Sequence, residues 1–503
     1  MRVIIILTLL FTCCKINSQE ILKDSSAVDY SILRINESPK LKLAFLKLQK
    51  IYKNKIKNNY SSGDSIFTII HIGDSHIQGD YFSGQIRKQL QYYFGNGGRG
   101  VLFPYALAKS FGPRGSILKT NKKWIGEKTL TPNLSNKLGF IGYAAFTNDS
   151  NSSITLNFTE NFEGSPFKKI NIWHSSDSTS YAFKLNNEFK FLENKLNPSG
   201  WGLSSFYSNT STNTFSLFPF KTNTKQNHFG FYGFELISDI KYGVNYHHCG
   251  VVGAQFTHLI NNAPWSIEQI AHLNPDIIIF SFGTNEAYNQ GLDTSYYKST
   301  IIKFMQDLEI ASPKTAFIFT TAPDTRSQNR IPSNQIIVNS LLKKIADSGN
   351  YSIFDLNEAM GGWGSIYSWF KKGLTLKDKL HFTEQGYSLQ ANLFTLSLLE
   401  AYNLINFNDS IDLNQIRGTV KDSMTSLIRN SKNDSLIKIL EGHNKKQSLV
   451  SKNLKNKIHI VKKGDTISKL CRIYKISINT IFSSNHLNKK SILKIGEKII
   501  ISK

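Results

Sequence analysis

The chain has 503 residues, 40% hydrophobic and 12% aromatic, which is enough for several packed cores and too apolar for a disordered polymer. Its 60 Lys and Arg outnumber 36 Asp and Glu, a formal charge of +24. Such a balance suits nucleic acid, an anionic wall polymer or a membrane surface, and composition alone does not separate them.

At the N-terminus, Arg2 precedes an apolar run from Val3 to Cys14 and a polar tail through Ser18-Gln19. These are the three regions of a secretory signal, and the run is too short to cross a membrane as a helix. Residues 1–18 are therefore expected to be removed, leaving an exported chain, in the periplasm, cell envelope or medium, without a transmembrane segment. Cys13 keeps a lipid-anchored form open. Only Cys249 and Cys471 then remain, in different expected domains, so no disulfide framework follows.

From Ser38-Pro39 to about Lys57, leucines and lysines alternate at helical spacing. Ile66 to Ile72 reads as a buried strand that breaks at Gly73, with Ser75 two residues on. A serine on a tight turn after a buried strand is where an α/β fold places a nucleophile. Tyr81 to Phe94 reads as a helix, and the glycine cluster from Gly95 to Gly100 as its C-cap and a loop near the rim of that site. Residues 19–114 are taken as the first part of an α/β domain.

Residues 115–240 change to alternating runs such as Ser153 to Phe158 and Phe229 to Phe234, with Asn, Ser, Asp and Gly turns between. This predicts an inserted β-sandwich or jelly roll. Trp173, Trp201 and Tyr207 are read as its core rather than as exposed stacking platforms. The α/β rhythm resumes over 241–401, with strands at Asp276 to Phe282, Ala316 to Thr321 and Ser352 to Asp355, and a closing helix from Glu384. Alternating strands and helices predict a parallel sheet flanked by helices. Residues 402–456, rich in Asn, Ser, Lys and Asp, read as a partly helical linker. Residues 457–503 form a basic βααβ unit in which Thr466 can cap the first helix.

Three later positions supply what Ser75 would need. Asp378 and His381, spaced D-x-x-H before the closing helix, can bring a carboxylate to an imidazole that takes the serine proton. Asn285 follows the most apolar strand, where its amide can face a developing oxyanion. Gly250-Val251-Val252-Gly253-Ala254 reads as a strand end and glycine turn on the same sheet. His247-His248-Cys249 could ligate a metal, but no second ligand cluster is evident, and neither a metal nor another cofactor is expected.

Gly73-Asp74-Ser75-His76 resembles the first motif of the SGNH (GDSL-type) hydrolases, with His76 in the usual Leu place. The glycine turn, Gly283-Thr284-Asn285-Glu286 and the Asp378/His381 pair resemble the second, third and fifth motifs, in the family's order. The resemblance implies Ser75 as nucleophile, His381 as base and Asp378 as its partner. It implies an oxyanion hole from the Ser75 N–H, the Gly253 N–H and the Asn285 amide, with Gly250 competing for Gly253's place. Glu286, where the family often has Asp, is read as structural. The long gap before Gly253 is similar to that of bacterial peptidoglycan O-acetylesterases with an inserted carbohydrate-module-like domain.

The C-terminal unit resembles a LysM domain over its whole length, through Val461 to Thr466, Ile473-Tyr474, Asn485 and Ile495 to Ile499. This implies binding of N-acetylglucosamine-containing glycan, with Gly464, Asp465, Thr466 and Asn485 as candidate contacts. Together the two resemblances imply an exported esterase that deacetylates peptidoglycan, with no nucleic-acid partner. An esterase on another acetylated polysaccharide, a lipase, or a non-catalytic wall-binding protein are the competing readings.

Overall fold

A computed structural model describes residues 34–57, 65–239, 242–327, 332–406 and 409–431, and 457–462, 465–474, 481, 485, 493 and 496–501 of the C-terminal unit. The expected signal lies outside these residues, as does Gly464. Two units emerge, Met1–Arg429 and Asn430–Lys503.

The first unit is built on six parallel strands, labelled β1 (Ser65–Gly73), β2 (Asn96–Gly98), β3 (Tyr242–Gly250), β4 (Ile277–Ser281), β5 (Ala316–Thr320) and β6 (Ser352–Phe354). Their order is β6-β5-β4-β1-β3-β2. β1 is central and, apart from Ser65, Thr68 and His71, apolar, because both its faces are covered. Phe67 and Ile69 join a core with the helices Pro39–Ile56, Tyr81–Phe94 and Glu384–Ile405, whereas Ile70 and Ile72 join the core of the opposite face. The first helix starts as its sequence predicts, with Ser38 Oγ accepting the Leu41 N–H at 3.2 Å, and buries Leu41, Ala44, Phe45, Leu48 and Ile51.

Between β2 and β3 the chain forms two antiparallel sheets, of seven and four strands. The insertion begins earlier than residue 115: strand Val101–Leu102 already pairs with Phe229–Ile237. The insert has no separate core. Trp173 and Trp201 are buried with their rings 5.4 Å apart, and Trp201 Nε1 donates to Glu268 Oε2 of helix Ser266–Leu273 at 3.1 Å. The tryptophans are thus core residues, as read, and they seal the insert to the parallel-sheet domain.

Two other expectations are corrected. Gly95 does cap its helix, but the following glycines form β2, which pairs with Val244 and Asn245, well before the C-terminal end of β3. They therefore lie away from the rim on which Ser75 sits. Residues 402–431 are not linker. The closing helix runs to Ile405, and helix Asn414–Ser431 buries Ile416, Val420, Met424 and Leu427 in the domain core. Its polar composition hides a narrow apolar stripe at helical spacing. Among the described residues, no helix is long and apolar enough to cross a membrane.

In the second unit, Lys457–Ile460 pairs antiparallel with Lys498–Ile501, and Leu470 of helix Ile467–Tyr474 packs on Val461, Ile481 and Ile499. Most of the second expected helix lies outside the described residues.

Candidate active site

Strand register assembles the site. Gly73 lies opposite Gly250 on one side and opposite Ser281 on the other. Three turns therefore leave the carboxyl ends of adjacent parallel strands side by side, the position where open α/β sheets bind ligands. The first carries Ser75, the second Gly253 and the third Asn285.

Ser75 opens a one-turn helix, Ser75–Gln78, capped by Asp74, whose Oδ1 accepts the His76 N–H at 2.9 Å. This helix presses against β3 so closely that a Cβ on Gly250 would fall 2.1 Å from the Gln78 nitrogen. Gly250 is thus required for packing. Gly253 has φ +82°, a left-handed conformation that glycine adopts without strain. Among the described residues, neither the Gly253 N–H nor the Ser75 N–H has a hydrogen-bond acceptor. The Val251 and Val252 N–H groups, by contrast, are taken by Gly73 O at 3.0 Å and Gln78 Oε1 at 2.7 Å.

Asn285 Nδ2 donates to Ala254 O at 2.9 Å and lies 3.5 Å from Asp74 Oδ2, so its amide is held between the first two turns. Glu286 is buried, and its carboxylate accepts the Phe256 N–H at 2.8 Å and the Gly283 N–H at 3.0 Å. It braces the third turn against the second, a structural role. Burial pushes its carboxyl up to about 7, and does the same to Asp74.

Asp378 and His381 sit on a tight hairpin closed by Leu376 N–H to His381 O at 2.8 Å, with Lys379 at φ +52°. The Arg326 N–H holds that residue's carbonyl at 2.8 Å. Asp378 Oδ1 accepts the N–H groups of Leu380 and His381 at 2.9 and 3.0 Å, and Oδ2 meets His381 Nδ1 at 2.8 Å. Burial opposes the Asp378 charge, but these bonds outweigh it and hold the carboxyl below its usual range. His381 Nε2 then reaches Ser75 Oγ at 3.1 Å. The structure thus brings Ser75, His381 and Asp378 into one relay and sets Asn285 and the glycine turn at the same sheet edge.

Two participants were not visible in the sequence. Gln78 is buried. Its Oε1 accepts from Val252 N–H and, at 2.8 Å, from the Tyr143 hydroxyl of the insert, and its Nε2 donates to Ser110 Oγ at 2.9 Å. One amide therefore fastens the glycine turn to the insert. From the insert, the Leu130 side chain comes within 3.2 Å of where a Gly253 Cβ would be, so the insert walls this side of the site. Neither residue carries a local motif. The imidazoles of His247 and His248 are engaged in the fold, with Nδ1 facing the Val101 N–H at 3.1 Å and Arg99 Nη1 at 3.3 Å respectively.

In the C-terminal unit, Thr466 Oγ1 accepts the Lys469 N–H at 3.2 Å, the expected cap. Asp465 Oδ2 accepts the Lys462 N–H at 2.9 Å and meets His459 Nε2 at 2.8 Å, contacts that with Lys469 hold its carboxyl well below the usual range. Asn485 Nδ2 donates to Ile481 O at 2.9 Å. These side chains knit the unit together, and a sugar would meet them already engaged.

A family model described as GDSL-like lipase/acylhydrolase matches residues 177–394, and a LysM domain model matches residues 459–502. The first spans Gly253, Asn285, Asp378 and His381 but begins after Ser75. No curated protein matches the sequence. One similar solved structure, described as a peptidoglycan O-acetylesterase, shares 22% identity at a TM-score of 0.60, covering 72% of this chain and 96% of its own. A lipase/acylhydrolase from Enterococcus faecalis has 17% identity, a TM-score of 0.26 and coverage of 31% and 76%. An acetylxylan esterase from Geobacillus stearothermophilus has 18%, 0.26, and 31% and 73%. For the first structure the likeness is one of fold, and it extends over most of the chain.

Proposed function

We propose, from the premise that the chain carries a GDSL-type ester hydrolase domain and a C-terminal LysM domain, that it is an exported serine esterase removing O-acetyl groups from peptidoglycan. The observation that carries this reading is the relay of Ser75 Oγ, His381 and Asp378, at 3.1 and 2.8 Å, on the carboxyl edge of the parallel sheet.

In the proposed reaction Ser75 Oγ attacks the ester carbonyl while His381 Nε2 takes the hydroxyl proton. Asp378 fixes the imidazole tautomer and stabilises the imidazolium. The tetrahedral oxyanion is met by the N–H groups of Ser75 and Gly253, which have no other acceptor among the described residues, and by the Asn285 amide. Collapse expels the sugar oxygen, which receives the proton from His381, and leaves an acetyl-Ser75. Water, deprotonated by His381, attacks this ester in turn, and acetate leaves as Ser75 regains its proton.

Peptidoglycan as substrate is supported by the LysM domain, since a wall-binding module on the same chain raises the local concentration of wall-borne ester. The fold shared with a structure described as a peptidoglycan O-acetylesterase points the same way. The apolar N-terminal run supports export.

The test is acetate release by the full chain from O-acetylated peptidoglycan, set against acetylated xylan and a long-chain ester. Preference for the wall substrate, lost in Ser75→Ala, is the expected result. Preference for xylan or the long-chain ester would reassign the substrate. Equal turnover by Ser75→Ala would remove the enzyme reading.

A further inference from the structure

The residue that departs from the family pattern, His76, joins the two halves of the relay. It is buried, and its Nδ1 lies 2.9 Å from the hydroxyl of Tyr387, itself buried at the start of helix Glu384–Ile405. The Tyr387 ring stands edge-on to that of Phe382, the residue after His381, with 5.5 Å between centroids. With the Tyr387 hydroxyl donating to His76 Nδ1, the imidazole proton sits on Nε2. The ring is tilted against those of His381 and Phe382, at 5.7 and 5.8 Å between centroids.

Among the described residues, Nε2 is buried without a partner. His76 lines a small, mostly apolar cavity of about 20 Å³ together with Asp74, Thr284 and Gln390. Its backbone N–H bonds Asp74 Oδ1 at 2.9 Å, which fixes the residue to the turn that carries Ser75. A chain of contacts then runs from Phe382 beside the base, through Tyr387 and His76, to the turn that holds the nucleophile. Burial first, and then the nearby His381, push the His76 pKa down to about 3, so the ring stays neutral beside the imidazolium that forms in each cycle.

We propose that His76 is a positioning residue, which through Tyr387 on one side and its place on the serine turn on the other sets the separation of Ser75 and His381. A leucine in its place, as in the family pattern, could fill the space but could not accept the Tyr387 proton. The base-bearing hairpin would then lose its tie to the serine turn. An asparagine would keep an acceptor, its Oδ1 standing close to where Nδ1 stood.

This rests on the esterase reading, so the experiment begins with p-nitrophenyl acetate and the full-length wild type. No turnover, or turnover untouched by Ser75→Ala, sinks the esterase reading before any His76 variant is compared. Given turnover, His76→Leu and Tyr387→Phe are each expected to lower kcat roughly 10- to 100-fold, the scale of a small misplacement of reacting groups, with KM within about two-fold. The double variant should be no slower than His76→Leu alone, because both break one chain. His76→Asn should keep at least about a third of wild-type kcat. Multiplicative losses in the double variant, equal loss in the Asn and Leu variants, or an effect confined to KM would each overturn the proposal. Tyr387→Phe, which removes one oxygen and no carbon, carries the test if His76→Leu does not fold.

Discussion

Two clusters of polar side chains leave the same short stretch of chain and differ in one respect. Around Asp80 every charge is matched. Arg87 Nη2 bonds Asp80 Oδ2 at 2.8 Å, Arg87 Nε bonds Glu163 Oε1 at 2.8 Å, and Arg99 Nη2 bonds Asp80 Oδ2 at 2.5 Å, with both arginines fully buried. Around Ser75 the donors are left over, since the N–H groups of Ser75 and Gly253 face no acceptor among the described residues. Buried ions in proteins are paired, or their cost is prohibitive. Donors kept unpaired at a strand edge are preorganised for charge that is not yet there. The first cluster therefore reads as structure, locking Glu163 of the insert to the helix that follows Ser75. The second reads as chemistry.

The sharpest way to break this contrast is to remove the nucleophile. Ser75→Ala should lower esterase kcat by about 10⁴-fold or more, the scale of losing a triad member, while leaving the thermal midpoint within about 2 °C. A large drop in midpoint would place Ser75 with the structural cluster instead. Next in size, Asn285→Ala should cost roughly 10²–10³ in kcat with little change in KM, as expected of a donor used in the transition state. Because Asn285 Nδ2 also bonds Ala254 O, a small stability loss is expected alongside, and a calorimetric melt would separate the two.

The contrast also explains what was legible in the sequence. Ser75, Gly253, Asn285 and the Asp378/His381 pair each sit at the end of an apolar run or in a short local spacing, so each announces itself within a few residues. The parallel sheet was equally plain, because strands covered on both faces are written as unbroken apolar runs such as Ile277 to Phe280. Arg87 and Glu163 are separated by 76 positions, and no local pattern marks either as half of a pair. Gln78 was missed for the same reason, as it acts on Val252 and Tyr143, remote in the chain. Helix Asn414–Ser431 looks like linker in sequence because most of its residues are polar, and only tertiary contact reveals that the stripe of Ile416, Val420, Met424 and Leu427 is buried.

The smallest expected effect tests the structural side, and its sign is fixed by pH. Burial works against the Asp80 charge, but Arg87 and then Arg99 outweigh it and hold the carboxyl far below the usual range. A group depressed on folding stabilises the protein above its unfolded pKa, about 3.9, and that contribution fades as pH falls towards its folded value. Asp80→Asn leaves two buried guanidiniums sharing Glu163, which should cost about 3 kcal/mol at pH 7. Measured by urea unfolding, the gap between wild type and Asp80→Asn should stay level from about pH 8 to pH 5 and narrow only below about pH 4. A gap that closed between pH 7 and 5 would mean that a histidine, and not this carboxylate, carries the charge balance, with His248, 3.7 Å from Asp80, the first suspect. Loss of activity without loss of stability would erase the distinction between the clusters, because Asp80 would then be serving the reaction from within a fully paired network.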